Sequence, residues 1–142
     1  MAPRDGRDDR EDREDERSEA RERALTLLYE AEAKSLTGAE VLDGLPVPPD
    51  ELARMLVMGV AEHRPDIDGL ISSHAKGWTL ERMPVIDRNV LRIGCFELLM
   101  RDDVPTAVIL DEATQLAKDY STDDSGRFVN GVLAAIARKV RA

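Results

Sequence analysis

The stretch from Pro84 to Met100, P-V-I-D-R-N-V-L-R-I-G-C-F-E-L-L-M, limits what this chain can fold into more than any other. A helix starts well there, because proline in a first turn gives up an N–H that has no intrahelical partner anyway. Projected at about 100° per residue, Val85, Ile86, Val90, Leu91, Ile93, Phe96, Leu98, Leu99 and Met100 reach nearly every side. A helix that is apolar all round cannot face water, so this one is expected to be the buried axis of the fold. Asp87, Arg88, Asn89 and Arg92 gather in its first two turns. That end reads as polar and exposed, and it is where function is to be sought.

The rest of the chain is organised as shorter helices. Residues 1–18 contain no large aliphatic or aromatic residue beyond Met1, so they have nothing to bury and are expected to be a disordered, mixed-charge tail. Arg10, Arg13, Arg17 and Arg21 are spaced by three or four, which would align them if the following helix extended backwards. A first helix is expected from Glu19 to Lys34, with Ser18 as candidate N-cap and Ala20, Ala24, Leu27, Leu28 and Ala31 as its apolar stripe. Thr37 caps a short helix to Leu42, and G-L-P-V-P-P is a connector. Asp50 to Glu62 and a segment capped by Asp66 and ending near Lys76 follow. Trp78 then reads as a core anchor ahead of the axial helix. Pro105 opens the next helix, Tyr120 to Ser125 form a cap-rich loop, and Gly126 to Val140 is the last helix. No period-two alternation or internal repeat is sustained, so residues 19–142 read as a single all-α domain of six or seven helices with short connections.

Composition excludes some functions and leaves others open. The 142 residues suffice for one core without disulfides or metals. The single Cys95 lies among apolar residues with no second cysteine to pair with, so it reads as an inert buried thiol in a reduced compartment. No apolar run approaches the ~20 residues of a membrane span and the N-terminus is charged, so a cytoplasmic location without membrane attachment is expected. A net charge of −9 is unusual for a nucleic-acid binder. Residues 1–23, however, hold 7 Arg against 10 acidic residues, and binding responds to local potential within a Debye length of ~8 Å.

Catalytic chemistry finds no foothold. There is no Gly-rich phosphate loop and no C-x-x-C. His63 and His74 are too far apart for a helical metal pair, and His63 with Asp66 and Asp68 reads as a polar helix junction. Asp111 with Glu112 and Asp123 with Asp124 are adjacent on helices, so they point apart and suit helix starts better than an acid/base dyad. Neither an enzyme nor a bound cofactor is expected. Glu97 stands out as a lone carboxylate within I-G-C-F-E-L-L-M. Buried there, it requires an arginine or backbone N–H partner.

The segments A-R-E-R-A-L-T-L-L-Y-E (20–30), I-D-G-L-I (67–71), D-R-N-V-L-R-I-G-C-F-E-L-L (87–99), D-V-P-T-A-V-I-L-D-E-A-T-Q-L-A-K (103–118) and S-T-D-D-S-G-R-F-V-N-G-V-L (121–133) together resemble the NusB transcription antitermination family. W-T-L-E-R-M-P-V-I-D-R and S-T-D-D-S give the resemblance an actinobacterial flavour. It implies an all-helical fold of two packed three-helix subdomains sharing a long central helix. It also implies a factor that joins NusE, a small-subunit ribosomal protein, to bind the boxA segment of nascent ribosomal RNA, with other Nus factors and RNA polymerase as indirect partners. Either a monomer or a homodimer is compatible with the family.

Carried onto this chain, the resemblance assigns RNA contact to Arg17, Arg21, His74, Lys76, Arg88, Arg127, Phe128 and Asn130. It assigns NusE contact to Tyr29, Asp87 and Arg88. His74 either stacks on a base or is a solvated helix-end residue, Phe128 either packs or stacks, and Tyr29 either faces the partner or joins the core. Ser18 and Glu19 stand where the family usually has further arginines. Fewer phosphate contacts imply weaker and less salt-dependent RNA binding. Two rivals follow: a helical protein–protein adaptor with weak RNA affinity, and the NusB-like domain of a ribosomal RNA methyltransferase.

Overall fold

The computed structural model describes residues 6–141, with side chains from residue 11 onward. Among the described residues are seven α-helices and no strand: α1 (Gly6–Lys34), α2 (Gly38–Asp43), α3 (Glu51–Glu62), α4 (Arg64–His74), α5 (Val85–Met100), α6 (Thr106–Tyr120) and α7 (Asp123–Val140). A single 3₁₀ turn, Leu80–Arg82, precedes α5. Helices α1, α2 and α3 pack on one another, α6 and α7 pack on each other, and α5 runs between the two groups in contact with both. Helix α4 packs on α5 and α7, which gives the expected helical subdomains around a shared central helix.

Helix α5 is the buried axis, and more completely than its sequence suggested. Every residue from Asp87 to Leu98 except Arg88 is buried. The expectation that Asp87 to Arg92 form an exposed polar end is therefore overturned. The two arginines are held inward because other helices supply their counter-charges. Arg92 donates to Asp68 on α4 (2.9 and 3.2 Å) and to Glu32 on α1 (3.0 Å). Arg88 donates from Nε and Nη2 to Glu32, at 2.9 Å each, and from Nη1 to the Met83 carbonyl.

The other end of the α1–α5 contact carries the second clamp. Arg21 makes a two-pronged bond to Glu97, Nε to Oε1 at 2.7 Å and Nη2 to Oε2 at 2.8 Å, with side chains only 3% and 1% exposed. The anomalous carboxylate of the axial helix thus has the arginine partner that its burial requires. The guanidinium is desolvated, yet the Glu97 bond and charge outweigh that and hold its pKa above the ordinary value.

Close packing at one glycine sets the distance between α3 and α5. A Cβ on Gly59 would lie 2.3 Å from the ring carbons Cε1 and Cζ of Phe96, so only a bare backbone lets that buried ring seat against α3. At the far end of α5, the last carbonyls lack intrahelical donors. Arg141, just past α7, supplies them, donating to the carbonyls of Glu97, Leu98 and Arg101 and to that of Val104 at 2.7–3.0 Å.

Helix starts separate into those read correctly and those displaced. Thr37 forms a reciprocal capping box with Glu40, and Asp50 caps α3 through the Ala53 N–H. Helix α7 begins three residues earlier than expected because the Thr122 hydroxyl accepts from the Ser125 N–H. Asp66 is no cap: α4 starts at Arg64, assisted by Pro65 in its first turn. Ser18 is no cap either. It sits inside α1 and donates to Glu112 at 2.8 Å.

Helix α1 itself begins at Gly6, well before Glu19. Opposite charges at i,i+3, such as Arg13 with Glu16 and Glu14 with Arg17, favour that extension, and the Ser18–Glu112 bond holds its root to α6. Residues 1–5 of the segment expected to be disordered lie outside the described residues.

Candidate nucleic-acid and partner interface

The ends of α4, α5 and α7 converge at one pole of the bundle. Gly77 adopts φ +80°, a left-handed conformation open to glycine, and turns the chain out of α4. That turn delivers Trp78 to the surface at 49% exposure, so it is not the core anchor its sequence position suggested. Its ring meets Phe128, from the first turns of α7, edge-on at 6.0 Å and 61°. Such a tilted arrangement suits the ring quadrupoles.

Trp78, Met83, Pro84 and Phe128 wall a pocket of about 240 Å³. Asp87, Thr122 and Ser125 supply its polar lining. Asp87 is only 4% exposed and its Oδ1 has no hydrogen-bond partner. Burial pushes its carboxyl above the usual range, and a hydrogen bond from Ser125 opposes that push.

Around this pole the expected RNA-binding residues differ in availability. Lys76 is exposed and forms no ion pair among the described residues; the same holds for Arg82, which the sequence reading did not single out. Arg127 is exposed but paired with Asp124 one turn earlier. Asn130 is exposed on α7 and accepts from the Thr114 hydroxyl. His74 is half-buried, with Nδ1 2.8 Å from the Leu70 carbonyl, which places a proton on Nδ1 and ties the ring to its own helix.

The remaining expected residues lie elsewhere. Arg17 is half-buried, 3.8 Å from Asp103, at the opposite end of α5. A helix of this length separates it from the Trp78 pole by about 24 Å. Arg21 and Arg88, both expected on the RNA surface, are instead committed to Glu97 and Glu32. Arg21 is buried in its pair, while Arg88 is half-buried beside Glu32. Tyr29 is exposed on α1, on the flank rather than in the core.

Metal and thiol chemistry find no seat among the described residues. No group of three or more His, Cys, Asp or Glu residues there could hold a metal ion. Burial pushes the Cys95 thiol up to about 12, and the nearby Asp68 charge adds to that. It carries no thiolate at neutral pH.

The model of the NusB family matches residues 18–138. The chain belongs to the NusB family. It is 52% identical over 124 residues to the transcription antitermination protein NusB of Saccharopolyspora erythraea, covering 83% of this chain and 84% of that one. It is 47% identical over 133 residues to NusB of Beutenbergia cavernae, covering 84% and 87%. Both relatives are actinobacterial, as the W-T-L-E-R-M-P and S-T-D-D-S segments suggested. Among solved structures, NusB of T. maritima is similar with a TM-score of 0.78 at 36% identity, over 87% of this chain and 91% of that one. NusB in a complex of the antitermination factors NusB and NusE with double-stranded RNA matches with a TM-score of 0.74 at 28% identity, over 87% and 96%. Among the described residues, no helix is long and apolar enough to cross a membrane.

Proposed function

We propose that this chain is an RNA-binding transcription antitermination factor that works with NusE on the boxA segment of nascent ribosomal RNA, in the cytoplasm and without catalytic activity of its own. The observation that carries this reading is the match to the NusB–NusE–RNA complex, which extends over almost the whole of the neighbour's NusB chain. The relatives that the chain matches over more than four fifths of their length are antitermination proteins, which favours this role over a domain of a methyltransferase.

The surface supports a two-part RNA track. Lys76, Arg82 and Arg127 stand around the exposed Trp78 and half-buried Phe128 at one pole, and Arg17 stands at the other. Aromatic rings suit unstacked bases, and the cations suit the backbone between them. Tyr29 on the α1 flank is the residue we place against NusE.

Loss of Arg21 and Arg88 to internal pairs favours a second reading, a helical protein–protein adaptor whose RNA affinity stays weak even beside NusE. Titrating a boxA oligonucleotide by fluorescence anisotropy, with and without NusE, at about 50 and 200 mM salt separates the two. Binding that tightens with NusE and falls with salt supports the antitermination reading. RNA left unbound under every condition overturns it, and a complex with NusE alone would leave the adaptor.

A further inference from the structure

The last turn of α6 carries a lysine whose stem is held while its charge is not. Lys118 is exposed and forms no ion pair among the described residues. The neighbouring carboxylate, Asp119, is turned back one helical turn to accept from the Gln115 amide at 2.8 Å. The lysine stem lies along the first turn of α7. A Cβ on Gly126 would stand 2.7 Å from Lys118 Cγ and 3.1 Å from its Cε, so the methylenes follow the bare glycine backbone. A lysine on an open helix surface samples many rotamers and loses that freedom when it grips an anion. Here the packing against Gly126 has already removed much of it, and the ammonium is left presented at the end of a fixed stem.

The surroundings of that ammonium suit a phosphate. Projected on α7, Gly126, Arg127 and Asn130 fall within about 100° of one another, on the side that meets Lys118. Asn130 turns its Oδ1 to the Thr114 hydroxyl of α6 at 3.4 Å, one turn before Lys118, which leaves its amide N–H groups outward. Arg127 pairs with Asp124, but both are solvent-exposed, and such a pair is weak enough to exchange for a phosphate. The α6–α7 seam thus lines up an ammonium, a carboxamide donor and a guanidinium. We propose that Lys118 contacts an RNA phosphate and that Gly126 is a positioning residue acting through it. The inference rests on the RNA-binding reading above and carries its track from the Trp78 pole onto the α6–α7 seam. A cation in a last turn also suits the helix dipole, but any rotamer would serve that purpose, and it would leave the salt dependence of RNA binding untouched.

Lys118→Gln keeps a stem against Gly126 and removes the charge, whereas Lys118→Arg keeps the charge. The full-length parent and variants are titrated with a boxA oligonucleotide in the presence of NusE, by fluorescence anisotropy between about 50 and 200 mM salt. Lys118→Gln is expected to bind more weakly and to lower the slope of log K against log salt by about 0.7, the increment of one phosphate on a single strand. Lys118→Arg is expected to keep the parent slope, with neither variant's thermal melt moved. Gly126→Ala, which dislodges the stem, is expected to weaken binding in the parent and to change nothing further in Lys118→Gln. A Lys118→Gln variant with the parent's affinity and slope overturns the proposal while the RNA-binding reading stands. A parent that leaves the RNA unbound at every salt concentration overturns both. Effects of Gly126→Ala and Lys118→Gln that simply add overturn the positioning role, and should Gly126→Ala misfold, the glutamine and arginine variants decide the contact without it.

Discussion

Replacing Glu97 by glutamine tests whether the α1–α5 clamp holds the bundle or merely occupies it. The change keeps the side chain's size but leaves the Arg21 guanidinium charged and 3% exposed, with no anion at 2.7–2.8 Å. Taking one partner from a buried pair costs about 3–5 kcal/mol, because the survivor's desolvation is no longer offset. At ~2–4 °C per kcal/mol for a chain slightly larger than this one, the melting temperature should fall by about 6–20 °C. The companion is the double variant Arg21→Met with Glu97→Met, which removes both charges and fills the space with apolar volume. That variant is expected to recover most of the loss or to exceed the parent, since isosteric apolar replacement of buried pairs is neutral or stabilising. Urea unfolding followed by circular dichroism at 222 nm gives each free energy, and an unchanged m-value shows that the denatured state is not what moved. A loss under about 1 kcal/mol for Glu97→Gln, the range of a solvated surface pair, would refute the reasoning.

Four further outcomes are expected. Gly59→Ala gains helix propensity yet should destabilise by about 1–3 kcal/mol, because the new methyl group collides with the Phe96 ring; chemical denaturation measures it. Arg141→Ala strips the donors from the carbonyls at the end of α5 and should cost about 2–3 kcal/mol, with faster amide exchange confined to the last turns of α5 and α7. Glu32 is partly buried, which alone would raise its pKa, but hydrogen bonds from Arg88 and Arg92 outweigh this and hold it below the usual carboxylate range. Its folded pKa is thus the depressed one, so its contribution is present above the unfolded value of about 4.3 and is lost as pH falls through the folded value; the stability gap between the parent and Glu32→Gln should close in that acid window. Finally, Lys76→Ala and Arg82→Ala should each lower the slope of log K against log salt for boxA RNA by about 1 if they contact phosphates, with the melting temperature unmoved.

The axial helix was legible because its apolar residues cover every side, a pattern that only a fully buried helix has. Its polar first turns were misjudged for a related reason. Arg88 and Arg92 look like surface residues to any reading that weighs one segment at a time, and their anions, Glu32 and Asp68, come from two other helices. The same non-locality hid Arg21. A family motif suggested a phosphate contact, while Glu97, the carboxylate already marked as needing an arginine, was its partner all along.

Trp78 failed in the opposite direction, being placed inside on its size when the positive φ of Gly77 turns it out. A glycine just before a lone tryptophan was the signal available for that turn. The caps at Thr37 and Asp50 were readable from local rules because their bonds close within three residues. The four carbonyls held by Arg141 span 37 to 44 residues of sequence, beyond any local rule.

The two α1–α5 clamps sit eleven residues apart on α1, at Arg21 and Glu32, and both lie downstream of the charged extension. A slip of α1 by one turn would break both at once, so between them they fix the register of the long helix. A register set by two internal ion pairs leaves the exposed face of α1 free to vary in charge without shifting the helix along its neighbours. Exchanging the exposed Glu19 for arginine is therefore expected to leave the fold intact, which a thermal melt checks.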